Sequence, residues 1–395
     1  MAKIQKKVEV KEVKAKEEKV EDKQLSKIDM IRDIAGDIKG ATSFDEKQEL
    51  KFVSSRMVGY NRASILGGFP TGAIYEIHGP NAGGKTALGI EILCSAQQAG
   101  HWAVMHDHEK AANDKRWLAA LGLDLSNCLY RNKHKDGKSV LTLEDSAQEI
   151  NDMIISFNEG KQKGTIPEET LLYILFDSVA AACPKAKLQK GAKVGDANYG
   201  LTARLMSDWC QTLEALVGGS DVAIIFINQE RVNVGGKPWE PKFKSFGGEA
   251  LQFFASVRIR VNLAGKIKEK VNGEEIVVAR KHKVKIEKNK LGYPEQEFTF
   301  YTSNGLGACQ LGFDDVRSTL DEALMQGVIK KVTKTSYDCK YFSSNIVGER
   351  KVREFLYENQ DILQKIKNDI NELILSGQTR LTSNGEEEGD DDDES

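Results

Sequence analysis

Eight residues constrain this chain more than any other feature: Gly79-Pro80-Asn81-Ala82-Gly83-Gly84-Lys85-Thr86. They complete the pattern GxxxxGK[ST] and stand between an apolar run, IYEIH, and a helical pattern, ALGIEILCSAQQA. A strand that ends in a glycine turn and feeds a helix is the context this pattern requires; outside it the same letters would be a chance glycine turn. The glycines let backbone N–H groups curl around phosphate oxygens, and the helix N-terminus adds a favourable dipole. Lys85 brings a point charge to the β- and γ-phosphates and Thr86 a hydroxyl for a metal, so ATP and Mg²⁺ are the expected cofactors.

The surroundings repeat the strand–helix theme. From about residue 53 to 305, short apolar runs alternate with helical patterns, most clearly at 73–78, 102–107, 171–177 and 222–228. Near-continuous apolar strands belong in a parallel sheet covered on both faces, which predicts a doubly wound α/β core with ligands beyond the carboxyl ends of the strands. LLYILFDS ends in Asp177-Ser178; beside a phosphate loop Asp177 reads as the Walker B carboxylate for Mg²⁺, and otherwise as a helix cap. In WAVMHDHEK, alternation puts Asp107 and Glu109 on one face and His106 and His108 on the other. Glu109 is the candidate base for water attacking a γ-phosphate. The His-Asp-His run lacks a third cluster of ligands, which argues against a metal site of its own. VAIIFINQ ends in Asn228-Gln229, an amide that either senses a γ-phosphate or satisfies buried backbone.

Charge is unevenly spread. The formal net charge is −3, but residues 386–395 hold eight acidic side chains, and without them the balance is +5. Such a block cannot bury apolar area and is expected to be a disordered tail, for solubility or as an internal competitor for basic surface. Between Arg258 and Lys290 eleven Lys/Arg face four Glu, a stretch that reads first as a solvated face. The opening 24 residues balance Lys and Glu and predict disorder; Ile28, Ile31, Ile34, Ala35 and Ile38 then recur at helical spacing. No run of about 18 apolar residues suggests a membrane span, no apolar stretch at the N-terminus suggests a secretory signal, and six scattered cysteines suit a reducing compartment.

Several further segments, GGFPTGAIYEIHGPNAGGKT, FDSVAAACPKA, GLTARLMS, IFINQ, GGEALQFFASVR and KVKIEKNK, stand in an order and spacing that resembles the RecA family of homologous recombinases, over roughly residues 53–375. The resemblance implies a RecA-like P-loop core with a twisted, mostly parallel sheet and a small α+β C-terminal domain. Together with the charge pattern it divides the chain into a charged N-terminal extension expected to be disordered (1–27), a helix or oligomerisation segment (28–52), the ATPase core (53–305), the C-terminal domain (306–378) and the acidic tail (379–395).

Residue by residue, the resemblance makes Glu109 the catalytic glutamate, Lys85 and Thr86 the phosphate and Mg²⁺ residues, and Asp177 the Walker B acid. Gln229 becomes the coupling glutamine. Asp114 and Trp117 fall beside the adenine after a one-residue insertion, and Lys288 and Lys290 reach a neighbour's ATP across a subunit seam. Two DNA-binding loops are implied, at about 187–199 (Lys187, Lys190, Lys193, Tyr199, with Arg204 beyond) and 230–246 (Arg231, Lys237, Trp239, Lys242, Lys244). Cations with interleaved aromatics suit single-stranded DNA, and 17 residues without regular structure are uncommon in a compact domain unless functional. The implied protein is a cytoplasmic, DNA-dependent ATPase that forms helical filaments on single-stranded DNA, pairs it with duplex DNA and works with single-strand-binding and loader proteins; whether a host or a virus encodes it stays open. A ring-forming helicase and a non-catalytic recombination mediator are the competing readings.

Overall fold

Runs such as LYILFD and VAIIFI carry almost no polar side chain, so they are stable only with both faces covered. In the computed structural model both are buried at every position. The structure describes residues 50–110, 115–133, 139–189, 200–232, 243–307 and 309–378. The expected N-terminal extension, all but the last three residues of the 28–52 segment, and the acidic tail lie outside them.

The main strands are β1 (Ala73–His78), β2 (Trp102–Asp107), β3 (Cys128–Arg131), β4 (Leu172–Asp177), β5 (Val222–Ile227), β6 (Val257–Val271), β7 (Glu274–Asn289), β8 (Gln296–Asn304) and β9 (Leu311–Phe313). They form one nine-stranded sheet in the order β9-β8-β7-β6-β1-β5-β4-β2-β3. From β6 to β3 every pairing is parallel, and β6-β7-β8-β9 is an antiparallel meander. The mostly parallel α/β expectation therefore holds.

The helices are α1 (Val58–Ser64), α2 (Lys85–Gln98), α3 (Lys115–Ala120), α4 (Leu143–Gln162), α5 (Leu201–Val217), α6 (Ala250–Phe254), α7 (Asp315–Gln326), α8 (Glu349–Glu358) and α9 (Gln360–Leu375). Alternation along the strands divides the core between them. Tyr173 and Leu175 of β4 and Ala223, Ile225 and Ile227 of β5 pack on the α2 side. Leu172, Ile174, Phe176, Val222, Ile224 and Phe226 pack on the side of α4 and α5. Helix α5 buries Met206, Trp209, Cys210, Leu213 and Val217, a single stripe at helical spacing, and the Trp209 ring meets Phe176 and Phe226 edge-on. Helix α4 starts at a capping box between Thr142 and Asp145.

The basic run 258–290 is the β6–β7 hairpin, and much of it is the expected solvated face: Lys266, Lys268, Lys270, Arg280, Lys283 and Lys290 are exposed. Arg258 and Arg260 differ, for they pair within the fold with Glu76 and Glu230. Alternation explains the difference, because Val257, Ile259 and Val261 turn into the core and hold the intervening arginines against neighbouring strand ends. The segment 230–246, expected to lack regular structure, is closed at its base by a two-stranded ribbon, Glu230–Val232 against Phe243–Ser245. Residues 233–242 lie outside the described residues.

C-terminal to β9, helices α7, α8 and α9 and a three-stranded sheet (Lys330–Lys331, Ser336–Asp338, Ile346–Val347) gather around their own apolar core, which also takes in Val58 of α1. Residues 311–313, placed by sequence in the C-terminal domain, pair with β8 in the large sheet. Glu269 on the hairpin ties the two regions, its Oε1 lying 2.5 Å from Arg317 and 3.1 Å from Arg353.

Candidate active site

The carboxyl ends of β1, β2, β4 and β5 lie side by side, because the chain crosses from β1 to β2 over the strands that later fill the gap. The loop 79–84 leaves β1 and enters α2. Its backbone requires glycine at two points for different reasons. A Cβ on Gly79 would lie 2.2 Å from the Val261 carbonyl oxygen, and Gly84 sits at φ +105° with the His282 ring where a side chain would go. The first turn of α2 has no side-chain cap and no acidic residue, which leaves its N–H donors to an anion. His282 braces the loop from behind: its Nδ1 lies 2.6 Å from the Gly83 oxygen and its Nε2 2.9 Å from Thr302 Oγ1.

Lys85 is buried and donates to the carbonyls of Gly79 at 3.1 Å and Pro80 at 2.7 Å. Burial lowers its pKa, against the opposing pull of Glu109, Asp177 and Glu230. Thr86 Oγ1 donates to Asp177 Oδ2 at 2.8 Å, while Asp177 Oδ1 is buried with no hydrogen-bond partner among the described residues. Burial, with further repulsion from Glu109 and Asp107, lifts the Asp177 carboxyl to about 7 despite the Thr86 hydrogen bond. A buried carboxylate with one oxygen unclaimed, beside a hydroxyl, fits a hard divalent cation such as Mg²⁺. The His106/His108 pair turns away from this centre: His106 Nδ1 and His108 Nε2 both meet Ser146 Oγ, at 3.2 and 2.9 Å. Among the described residues no group of three or more His, Cys, Asp or Glu forms a separate metal site.

Glu109 follows the end of β2. Its Oε1 accepts the Ser178 hydroxyl at 2.6 Å and the Gln229 side-chain amide at 2.9 Å. Two strand ends, β4 and β5, thus hold one carboxylate. Gln229 is positioned in turn by Asn228, whose Oδ1 accepts the Gln229 N–H and whose Nδ2 donates to Glu76 and to the Phe246 carbonyl.

The structure therefore brings together Lys85, Thr86, Glu109, Asp177 and Gln229. Trp117 is exposed on α3; Asp114 lies outside the described residues. Lys288 donates to the carbonyls of Gln252 (3.0 Å) and Phe253 (2.7 Å) at the end of α6, and Lys290 is exposed. Among the described residues neither lysine bonds to the phosphate-loop cluster of its own chain. Lys187 is exposed in a short 3₁₀ turn (Lys185–Leu188), and Arg204 is exposed in the first turn of α5. The backbones of Arg231 and Lys244 face each other across the ribbon. The side chains of Arg231 and Lys244, and Lys190, Lys193, Tyr199, Lys237, Trp239 and Lys242 as a whole, lie outside the described residues.

A sequence model of the RecA N-terminal domain matches residues 35–308. The chain belongs to the RecA family. It is 32% identical to Protein RecA of Caulobacter sp. (strain K31), over 87% of each chain. Protein RecA of Acinetobacter baylyi is 33% identical, over 87% of this chain and 89% of its own. The mitochondrial DNA repair protein recA homolog of Dictyostelium discoideum is 30% identical, over 87% of this chain and 69% of its own. Within this RecA-family site, sequence reasoning missed His282, Glu76 and the role of Ser178. Ser178 was within reach as the hydroxyl next to Asp177; His282 and Glu76 reach the site only through strand pairing. No helix among the described residues is long and apolar enough to cross a membrane.

Proposed function

We propose that this chain is an ATP-dependent recombinase that assembles as a helical filament on single-stranded DNA and exchanges strands with duplex DNA in the cytoplasm. The observation that carries the reading is the shared hold on Glu109: one hydrogen bond comes from the strand that bears the metal carboxylate, the other from Gln229, at the root of the second DNA loop.

The N-terminus of α2 and Lys85 bind the phosphates of ATP, the reaction's substrate. Thr86 and Asp177 would hold Mg²⁺, which when bound neutralises charge on the β- and γ-phosphates. Ser178 and Gln229 orient Glu109 so that its carboxylate takes the proton of the attacking water. Lys288 and Lys290 of an adjacent copy complete the charge around the γ-phosphate in trans. Gln229 loses its phosphate partner on hydrolysis, and the ribbon that follows it transmits this to the 233–242 segment, so DNA affinity depends on the nucleotide state. That requires the nucleotide states to be bound differently by the DNA-gripping and DNA-releasing conformations.

Electron microscopy with single-stranded DNA and a slowly hydrolysed ATP analogue, followed by a strand-exchange assay, tests this. Filaments and exchanged strands are expected. Closed hexameric rings that unwind duplex would indicate a helicase, and DNA binding indifferent to ATP would indicate a mediator.

A further inference from the structure

Three motifs of the proposed mechanism each have a neighbour it leaves unused. His78 immediately precedes Gly79, Glu230 immediately follows Gln229, and Glu287 immediately precedes Lys288. Far apart in the chain, these three side chains meet. His78 Nδ1 lies 2.8 Å from Glu230 Oε1, and its Nε2 lies 3.0 Å from Glu287 Oε2, off the line of a straight hydrogen bond. His78 and Glu230 are buried at 4% and 6% exposure, whereas Glu287 keeps 28%. Two arginines close the cluster. Arg260 grips both oxygens of Glu230, at 3.0 and 3.1 Å, and Arg258 lies 2.6 Å from Glu76 and 3.7 Å from Glu287.

Among the described residues, the charged groups facing the imidazole are Glu76 on its own strand, Glu230 at the ribbon, Glu287 on β7, Arg258 on β6, and Arg260 behind Glu230. These three carboxylates and two guanidiniums sum to −1, which favours the imidazolium; Lys85 beside Glu230 and Lys288 beside Glu76 offset part of that pull. Burial alone would lower the His78 pKa; Glu230, Glu287 and Glu76 outweigh it against Arg258 and raise it above 6.5.

We propose that His78 is the positioning residue that locks the phosphate loop, the base of the second DNA loop and the strand bearing Lys288 into one unit, and that loss of its proton uncouples ATP turnover from DNA. This rests on the recombinase reading. The imidazolium serves two carboxylates at once. A neutral ring has one N–H and turns a lone pair toward the other carboxylate. Glu230 is buried and held twice by Arg260, so Glu287 is the one that lets go, and Lys288 beside it shifts. Communication across the seam between copies is therefore lost before ATP binding is.

The test measures the ratio of single-stranded-DNA-stimulated to DNA-free ATP turnover from about pH 6 to about pH 9, with ATP binding in parallel, for the wild type, His78→Gln and Glu287→Gln. The wild-type ratio should fall about fivefold or more as pH rises through the His78 transition. His78→Gln should give a low ratio that is flat with pH, and Glu287→Gln should move the fall to lower pH, because one carboxylate favouring the imidazolium is gone. A His78→Gln profile that superimposes on the wild type overturns the proposal, and so does a Glu287→Gln fall at the wild-type pH. Should His78→Gln fail to fold by circular dichroism, the Glu287→Gln profile decides alone. A wild type that binds ATP yet shows no DNA stimulation at any pH overturns the recombinase reading itself; a stimulated wild type with unshifted variants overturns only the role of His78.

Discussion

The Gln229 amide nitrogen stands 2.9 Å from the Glu109 oxygen that also accepts the Ser178 hydroxyl. One carboxylate is thereby shared between the end of β4, which bears Asp177, and the end of β5, which leads into the proposed DNA segment. Glu109→Gln keeps the size of the side chain and removes the ionised acceptor. ATP turnover should fall about 10²- to 10⁴-fold, the usual contribution of a positioned base, while ATP-dependent binding of single-stranded DNA persists. Steady-state turnover and fluorescence anisotropy with labelled oligonucleotide check the two halves. Turnover within tenfold of wild type would remove Glu109 from the role of base.

Asp177 carries a stability cost that the proposed metal would offset. Its carboxyl is raised from 3.8 to about 7, first by burial and then by Glu109 and Asp107. A carboxyl with a raised folded pKa destabilises the metal-free fold as it ionises, so the penalty is absent below about pH 4 and complete above about pH 7. Asp177→Asn retains an oxygen for the Thr86 hydroxyl and removes the charge. In EDTA at pH 8 the variant should be more stable than wild type by roughly 1–3 kcal/mol, with the difference vanishing toward pH 4. With Mg²⁺ and ATP the order should reverse. Urea unfolding at several pH values reads both, and a destabilised variant in EDTA would contradict the assignment.

The parts of this site that local pattern writes into the chain were legible without a structure. Strands β1, β2, β4 and β5 announce themselves as apolar runs; Glu109, Asp177 and Gln229 sit at or within two residues of the ends of such runs, and Lys85 and Thr86 open the helix after the glycine loop. What stayed hidden depends on strand pairing over long sequence separation. Nothing near residue 282 indicates that its ring lies against Gly83, and nothing near 260 indicates that the arginine is neutralised by Glu230 rather than offered to a nucleic acid. The basic count between 258 and 290 overstated the free surface charge only at Arg258 and Arg260, whose partners Glu76 and Glu230 come from distant parts of the chain. The two implied DNA loops gave composition without geometry, and the ribbon at the base of the second is what the described residues add.

Two histidines should make the fold acid-sensitive. Burial lowers His106 to about 3 and His108 to about 4, and both rings share the single Ser146 hydroxyl, which can donate to only one of them. A histidine whose folded pKa lies below its unfolded value contributes its full share above about pH 6.5 and loses it as pH falls toward the folded pKa. Between pH 6.5 and 4.5 the share of these two rings should drop by roughly 2–5 kcal/mol, and the relief of the Asp177 penalty over the same range offsets part of it. His108→Gln should flatten part of that slope in urea titrations. A variant whose pH dependence matched the wild type would show that the acid response arises elsewhere.

Lys288 and Lys290 make no bond to the phosphate loop of their own chain among the described residues, which is the arrangement expected of groups that serve a neighbour. A mixing experiment separates that role from a local one. Lys85→Ala removes the phosphate cation and leaves the seam lysines intact; the Lys288→Ala/Lys290→Ala double variant does the reverse. Each alone should lose DNA-stimulated turnover. In a head-to-tail filament every seam joins the loop of one copy to the lysines of the next. Random co-assembly in equal amounts therefore creates about one seam in four with both halves intact, and turnover should return to about a quarter of the wild-type value. If the lysines acted within their own chain, no mixture could repair the site, and activity would stay at the level of the separate variants at every ratio.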